Sequence, residues 1–226
     1  MIKKCGIFLS LLLATTLGAC TESDPDLEAV STEGTVDLAR VKLGTADQVF
    51  QEAVVTFVRD QSAQANAGGK RQYLSRGDGN TNGNGGQYIV QVKNGSCFEV
   101  SVLYNNHPIS RDAAENDMKR LLPADAPAQS RVDDSSLAQP ARPNTAHPYE
   151  AIYYFGDDYL GEIYFSDKTG SHVTGLKVSN VSLLKQAQAD SQLQKDSLKP
   201  LVDAAIDQES KEKTAATPGA KVVKRP

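Results

Sequence analysis

Gln87-Tyr88-Ile89-Val90-Gln91-Val92-Lys93-Asn94-Gly95-Ser96-Cys97-Phe98-Glu99-Val100-Ser101-Val102-Leu103-Tyr104 is the stretch on which the fold turns. β-branched and aromatic residues alternate with polar ones on both sides of Asn94-Gly95, the pattern of two strands joined by a tight turn. The obvious connection is a two-residue type I′ turn, because Asn and Gly accept positive φ. Side-chain parity points elsewhere. A two-residue loop sets Tyr88, Val90 and Val92 on the face of Cys97, Glu99 and Ser101. A three-residue loop, Lys93-Asn94-Gly95 with Gly95 at positive φ, pairs Val90 with Phe98 and Tyr88 with Val100, which makes one face apolar. The expected register is therefore the second, with Cys97 on the other face beside Gln91.

Upstream, Thr45-Ala46-Asp47-Gln48 fits a capping box, and Val49, Phe50, Ala53, Val54, Phe57 and Val58 recur at helical spacing. This predicts an amphipathic helix that starts at Thr45 and ends no later than Gly68-Gly69. Residues 77–86 are rich in Gly and Asn and read as a loop. Downstream, Ser110 caps a second helix whose core face is Ala114, Met118, Leu121 and Leu122, and Pro123 stops it. Half of the ten prolines lie between Pro123 and Pro148, which predicts an internal loop without strand or helix. Three strands follow, Tyr149–Phe155, Leu160–Ser166 and Ser171–Val178, joined by turns rich in Asp and Gly as an antiparallel meander. From 182 to 226 the chain is polar and Gln-rich, with Pro200 inside its apolar spacing, and reads as a weakly helical to disordered tail. The expected fold class is α+β: a domain over 45–181 in which a hairpin and a meander form an antiparallel sheet packed on the first helix.

The N-terminus has a different character. Lys3 and Lys4 precede an apolar run from Ile7 to Leu13, and small residues lead to Cys20. That run is too short to span a bilayer, and the layout is that of a removed signal peptide, 1–19. Leu17-Gly18-Ala19-Cys20 resembles the lipobox of bacterial lipoproteins. The resemblance implies cleavage before Cys20, a diacylglycerol thioether on its sulfur and an acyl chain on its new amino group. In a Gram-negative bacterium Thr21 after the cysteine implies the outer membrane; the expected location is its periplasmic face, with the inner membrane or the cell surface as the alternative. The acidic, polar stretch 20–44 then reads as a lipidated tether. Loss of Lys3 and Lys4 with the leader takes the formal charge from −4 to −6, which argues against a nucleic-acid partner. With Cys20 lipidated, Cys97 is the one thiol left and no internal disulfide can form.

Candidate sites are few. Asp78, Asn80 and Asn82 open like a calcium loop, but the twelfth position is Ile89 where a bidentate Glu is needed. Cys97 has no base placed near it by spacing, and His107, His147 and His172 are scattered, so no catalytic residue, metal or cofactor is assigned. Seven of the fourteen aromatics fall between Tyr149 and Phe165. Tyr149, Tyr153, Tyr154, Tyr159 and Tyr164 are the expected partner surface, because Tyr is enriched at interfaces. The expected function is a non-enzymatic binding or scaffolding module in the cell envelope. Its partners would be the bilayer, through acylated Cys20, and a protein or envelope component. The rival expectation is a small-ligand-binding or hydrolytic domain with a pocket in a curved sheet, for which Tyr88, Glu99, Glu162 and His172 would have to converge.

Overall fold

The computed structural model describes residues 34–62, 64–76, 86–104, 107–142, 145 and 147–215. The leader, Cys20, the tether up to residue 33, the calcium-like residues Asp78, Asn80 and Asn82, and residues 216–226 lie outside the described residues. The fold is α+β, built on one antiparallel sheet of eight strands. In chain order the elements are α1 (Asp47–Glu52), β1 (Phe57–Asp60), β2 (Arg71–Ser75), β3 (Gln87–Lys93) and β4 (Ser96–Leu103). Then come α2 (Arg111–Leu121), β5 (Gln129–Asp133), β6 (Tyr149–Phe155), β7 (Tyr159–Phe165), β8 (Val173–Asn180) and α3 (Val181–Ala215). The strand order is β1-β2-β3-β4-β8-β7-β6-β5. The chain thus lays down one unit twice, a helix followed by a four-stranded meander. The two units join where β4 pairs antiparallel with β8.

One face of the sheet holds the core. Tyr88, Val90, Val92, Val100, Val102, Ile163, Leu176 and Val178 pack there against α1 and α2. Alternation is most regular in β6, where Tyr149, Ala151, Tyr153 and Phe155 are buried and the residues between them are half-buried. Helix α2 forms as expected. Ser110 accepts a hydrogen bond from the Ala113 amide, and Ala114, Met118, Leu121 and Leu122 are buried. Its close approach to β7 depends on Gly161, where an added Cβ would overlap the Met118 sulfur.

The first helix is much shorter than its apolar spacing predicts. Only Asp47–Glu52 is helical, and Val54 and Val58 of the supposed stripe are exposed. Val54-Val55-Thr56 is a β-branched run, which is poorly helical and turns the chain so that Phe57 starts β1. Nor is there a capping box. Ala46 is the N-cap without a side-chain bond, while the Thr45 hydroxyl donates to the Lys42 carbonyl at 2.8 Å. The tether expected over 20–44 also ends early. Val36, Leu38, Val41 and Leu43 are buried in the core, and Arg120 holds this segment through the carbonyls of Leu38 and Ala39.

The central hairpin satisfies turn chemistry and parity together. Asn94 and Gly95 both have positive φ, 54° and 81°, and Lys93 pairs with Ser96, so the loop is the two-residue type I′ turn. A bulge then inserts Phe98: Val92 pairs with Cys97, whereas Gln91 pairs with Glu99 and Val90 with Val100. The extra residue restores the apolar face without lengthening the loop. The expected partners, Val90 with Phe98 and Tyr88 with Val100, are therefore each two residues off. Cys97 correspondingly packs in the core rather than on the other face.

Two further expectations change. The Pro-rich stretch 123–148 contains β5, an exposed edge strand paired with β6. The tail runs on as the single helix α3 through Pro200 to Ala215. Its start is capped by the Asn180 side chain, which accepts from the Leu183 amide at 3.0 Å.

Candidate functional site

The second face of the sheet gathers polar chemistry on half-buried strands. Side chains at alternate positions of β3, β4, β8 and β7 project there: Gln91, Glu99, Lys177 and Glu162. Glu99 is buried, yet both its carboxylate oxygens are used. Gln91 donates to one at 2.6 Å, and the Ser179 hydroxyl donates to the other at 3.3 Å. Register sets Glu162 of β7 directly opposite Lys177 of β8, with the ammonium 3.0 Å from the carboxylate. The Tyr164 hydroxyl donates to that same carboxylate. The His147 ring stacks on Tyr164 with centroids 5.1 Å apart, and its Nδ1 lies 2.9 Å from the Thr174 hydroxyl.

Helix α3 covers one end of this face, where it packs on β4 and β8 and on the turn at Ala67–Gly69. Lys93, only 5% exposed, reaches across to Asp190 of α3 and donates to the Gly68 carbonyl at 3.2 Å. The Gln194 side chain accepts from the Gly68 amide at 2.8 Å. Beneath the helix lies a cleft of about 560 Å³ lined by Gln91, Phe98, Glu99, Leu184, Gln188 and Lys195 among others.

Burial pushes the Glu99 carboxyl up, Lys177 pulls it down, and Glu162 adds to the rise. A carboxyl raised in the folded state favours folding at low pH, and that contribution is lost as pH rises through its folded value. Glu99→Gln keeps an acceptor for Gln91 and gains a donor for Ser179. The variant is thus expected to melt above wild type at pH 7, with the difference closing towards pH 4; paired thermal melts at the two pH values measure it. At the far end of β7 the opposite shift occurs. Hydrogen bonds from Thr169 and His172 hold the half-buried Asp167 carboxyl down, at about 2.

The tyrosines expected to form a partner surface divide between the faces. Tyr149 and Tyr153 are buried in the core, where the Tyr153 hydroxyl donates to Glu115 at 2.7 Å and accepts from Arg111. These two cannot meet a partner. Tyr159 packs against the core margin. Tyr154 and Tyr164 are half-buried on the second face, Tyr154 beneath the Arg131 guanidinium at 3.9 Å. Of the rival quartet, Glu99 and Glu162 share this face. Tyr88 lies on the core face bonded to Arg120, and His172 is an exposed turn residue beside Asp167. The Cys97 thiol is buried and donates to the Glu99 carbonyl. Among the described residues no group of three His, Cys, Asp or Glu side chains is placed to hold a metal.

No motif or spacing in the sequence singles out Lys93, Lys177 or Asp190 as site residues. Alternation along Gly175, Lys177 and Ser179 does mark a polar face, but nothing local tells which strand faces Lys177.

Fold and site together define an α+β protein whose antiparallel sheet gives one face to the core and the other to a charged, helix-capped surface. Comparison with protein-family models, with curated proteins and with solved structures finds no match.

Proposed function

We propose that this chain is a lipoprotein of the bacterial envelope, anchored through acylated Cys20 at the periplasmic face of the outer membrane. Its domain would be a non-enzymatic module that binds a protein or another envelope component. The observation that carries this reading is the part of the second face on β6 and β7 away from α3. There Ile152, Tyr154, Leu160 and Tyr164 are half-buried around the Glu162–Lys177 pair. A mixed apolar, aromatic and charged surface of this kind suits a partner with complementary charge. Tethering raises the effective concentration at the membrane, so a modest interface suffices. No described helix is long and apolar enough to cross a membrane, which leaves attachment in this reading to Cys20.

Two variants test the halves of the proposal separately. Cys20→Ser should leave the membrane fraction or accumulate unprocessed; if it remains membrane-bound at its wild-type size, the anchor reading fails. Tyr154→Ala combined with Lys177→Glu should abolish crosslinking in cells to partners that wild type captures. Unchanged partners would exclude this face.

A second reading, a ligand-binding or hydrolytic domain, is supported by the cleft under α3. It is lined by the buried Glu99, whose carboxyl is shifted upward by burial, the direction a general acid requires. In that case Glu99→Gln should lose the activity while gaining stability, a trade expected of functional groups held at a cost.

A further inference from the structure

We propose that the β1 edge of the domain rests directly on the bilayer, through Val54, Val55 and Val58. This rests on the reading that Cys20 is acylated. The three valines are 60%, 55% and 40% exposed, although Val is among the residues most often buried. Val54 and Val55 form the turn between α1 and β1, and Val58 lies on the second face of β1 opposite Leu74. The described chain enters at this patch. The Val55 amide donates to the Gly34 carbonyl at 3.0 Å, and a Cβ on Gly34 would lie 3.4 Å from a Val54 methyl. The root of the tether and the exposed apolar edge are therefore the same place.

Thirteen residues separate Cys20 from Gly34. Even fully extended they reach about 45 Å, which keeps the patch within a domain's width of the acyl chains. Arg76 is exposed beside the valines, with its Nε donating to the Val54 carbonyl at 3.1 Å. Apolar side chains with a guanidinium group at their margin match the boundary between acyl chains and headgroups. A bilayer is the occupant, because the tether delivers this edge to it continuously, whereas any other partner has to arrive by diffusion. Docking in this way turns the opposite edge, β5 and the β6–β7 turn, away from the membrane.

The chain contains no tryptophan, so one introduced residue reports its own surroundings. The test uses the full chain purified from membranes, with acylation of Cys20 checked by mass. It is reconstituted into phosphatidylcholine–phosphatidylglycerol vesicles with and without brominated acyl chains. Val55→Trp should lose roughly half or more of its emission to brominated lipid, as burial a few ångströms below the headgroups requires. Asp157→Trp, at the exposed β6–β7 turn, should lose none. Equal, negligible quenching at both positions in acylated protein overturns the docking and leaves the anchor untouched. Emission at position 55 that shifts with protein concentration in detergent, and not with bromination, assigns the edge to a second copy and also overturns it. A chain without acylation at Cys20 removes the anchor reading and this proposal together.

Discussion

Asp47→Ala is expected to lower the stability of the domain by about 3 kcal/mol, among the largest single effects available outside the apolar core. Asp47 is 4% exposed at the first turn of α1, and its carboxylate is surrounded by donors. The Tyr73 hydroxyl donates to it at 2.8 Å, Gln51 at 2.5 Å, and Arg71 pairs with it. Truncation leaves the fully buried Tyr73 hydroxyl without its acceptor, inside an aromatic cluster. There Phe50 and Tyr73 stack at 5.5 Å and Phe50 meets Phe57 edge-on at 5.3 Å. The cost falls on β1 and β2 together, because Tyr73 and Phe57 anchor them to α1. Arg71, by contrast, is 45% exposed, and its loss is expected to cost under about 1 kcal/mol since water screens and replaces it. Denaturant unfolding of the two variants makes the comparison. Equal costs would mean that the buried hydroxyl, not the surface ion pair, has been wrongly weighted.

The second large effect concerns the helix over the cleft. Asp190→Ala is expected to cost about 2 kcal/mol, because it strands the Lys93 ammonium in a site only 5% exposed. The value sits below that of a fully buried pair because Asp190 itself is 49% exposed and water can follow it in. Lys93→Met removes the charge together with its need for a partner and keeps the aliphatic stem, so it is expected to be close to neutral. Combining Lys93→Met with Asp190→Ala should recover most of the single loss. Amide exchange locates the effect. In Asp190→Ala the first turns of α3 should open faster than the strands of the sheet, since β4 and β8 keep every backbone partner. Uniform acceleration through the sheet would show that Lys93 supports the core rather than clamping α3.

The two longest alternating regions were readable from sequence because burial on one face writes itself at period two. Tyr149–Phe155, Tyr159–Phe165 and the pair around Asn94-Gly95 all appear as strands within two residues of expectation. Strands β1, β2 and β5 were not readable. β1 is four residues long and follows a short helix whose apolar spacing it continues, so Phe57 and Val58 fit a helical stripe until neighbours are known. β5 is an exposed polar edge, Gln129-Ser130-Arg131-Val132-Asp133, held by pairing with β6 rather than by any pattern of its own. The bulge at Phe98 escaped for a related reason. Parity counts residues, and only the packed sheet shows where one residue is absorbed.

The site shows the same division. A run of tyrosines is visible in a sequence, but which face each occupies follows from the pairing of its strand. Tyr149 and Tyr153 went to the core because parity set them with Ala151 and Phe155 against α2. Glu162 and Lys177 met because β7 and β8 are adjacent, and Glu99 joined their face because β4 pairs with β8 across the seam between the two units.

By itself the sequence determined the α+β class, the position of the central hairpin, helix α2 with its cap, and the lipobox that motivates the anchor, whereas the turn type and the bulge that reconciles it with side-chain parity came from the packed sheet. Each of these is local chemistry: a φ preference, a capping hydroxyl, a two- or three-and-a-half-residue period, a four-residue motif. Only the tertiary structure decided the eight-strand order, the burial of Val36, Leu38, Val41 and Leu43, the clamp between Lys93 and Asp190, and the charged face on which function is proposed. Those depend on contacts between residues up to about a hundred positions apart, and their free energy exists only once the strands are paired and water has been excluded between them.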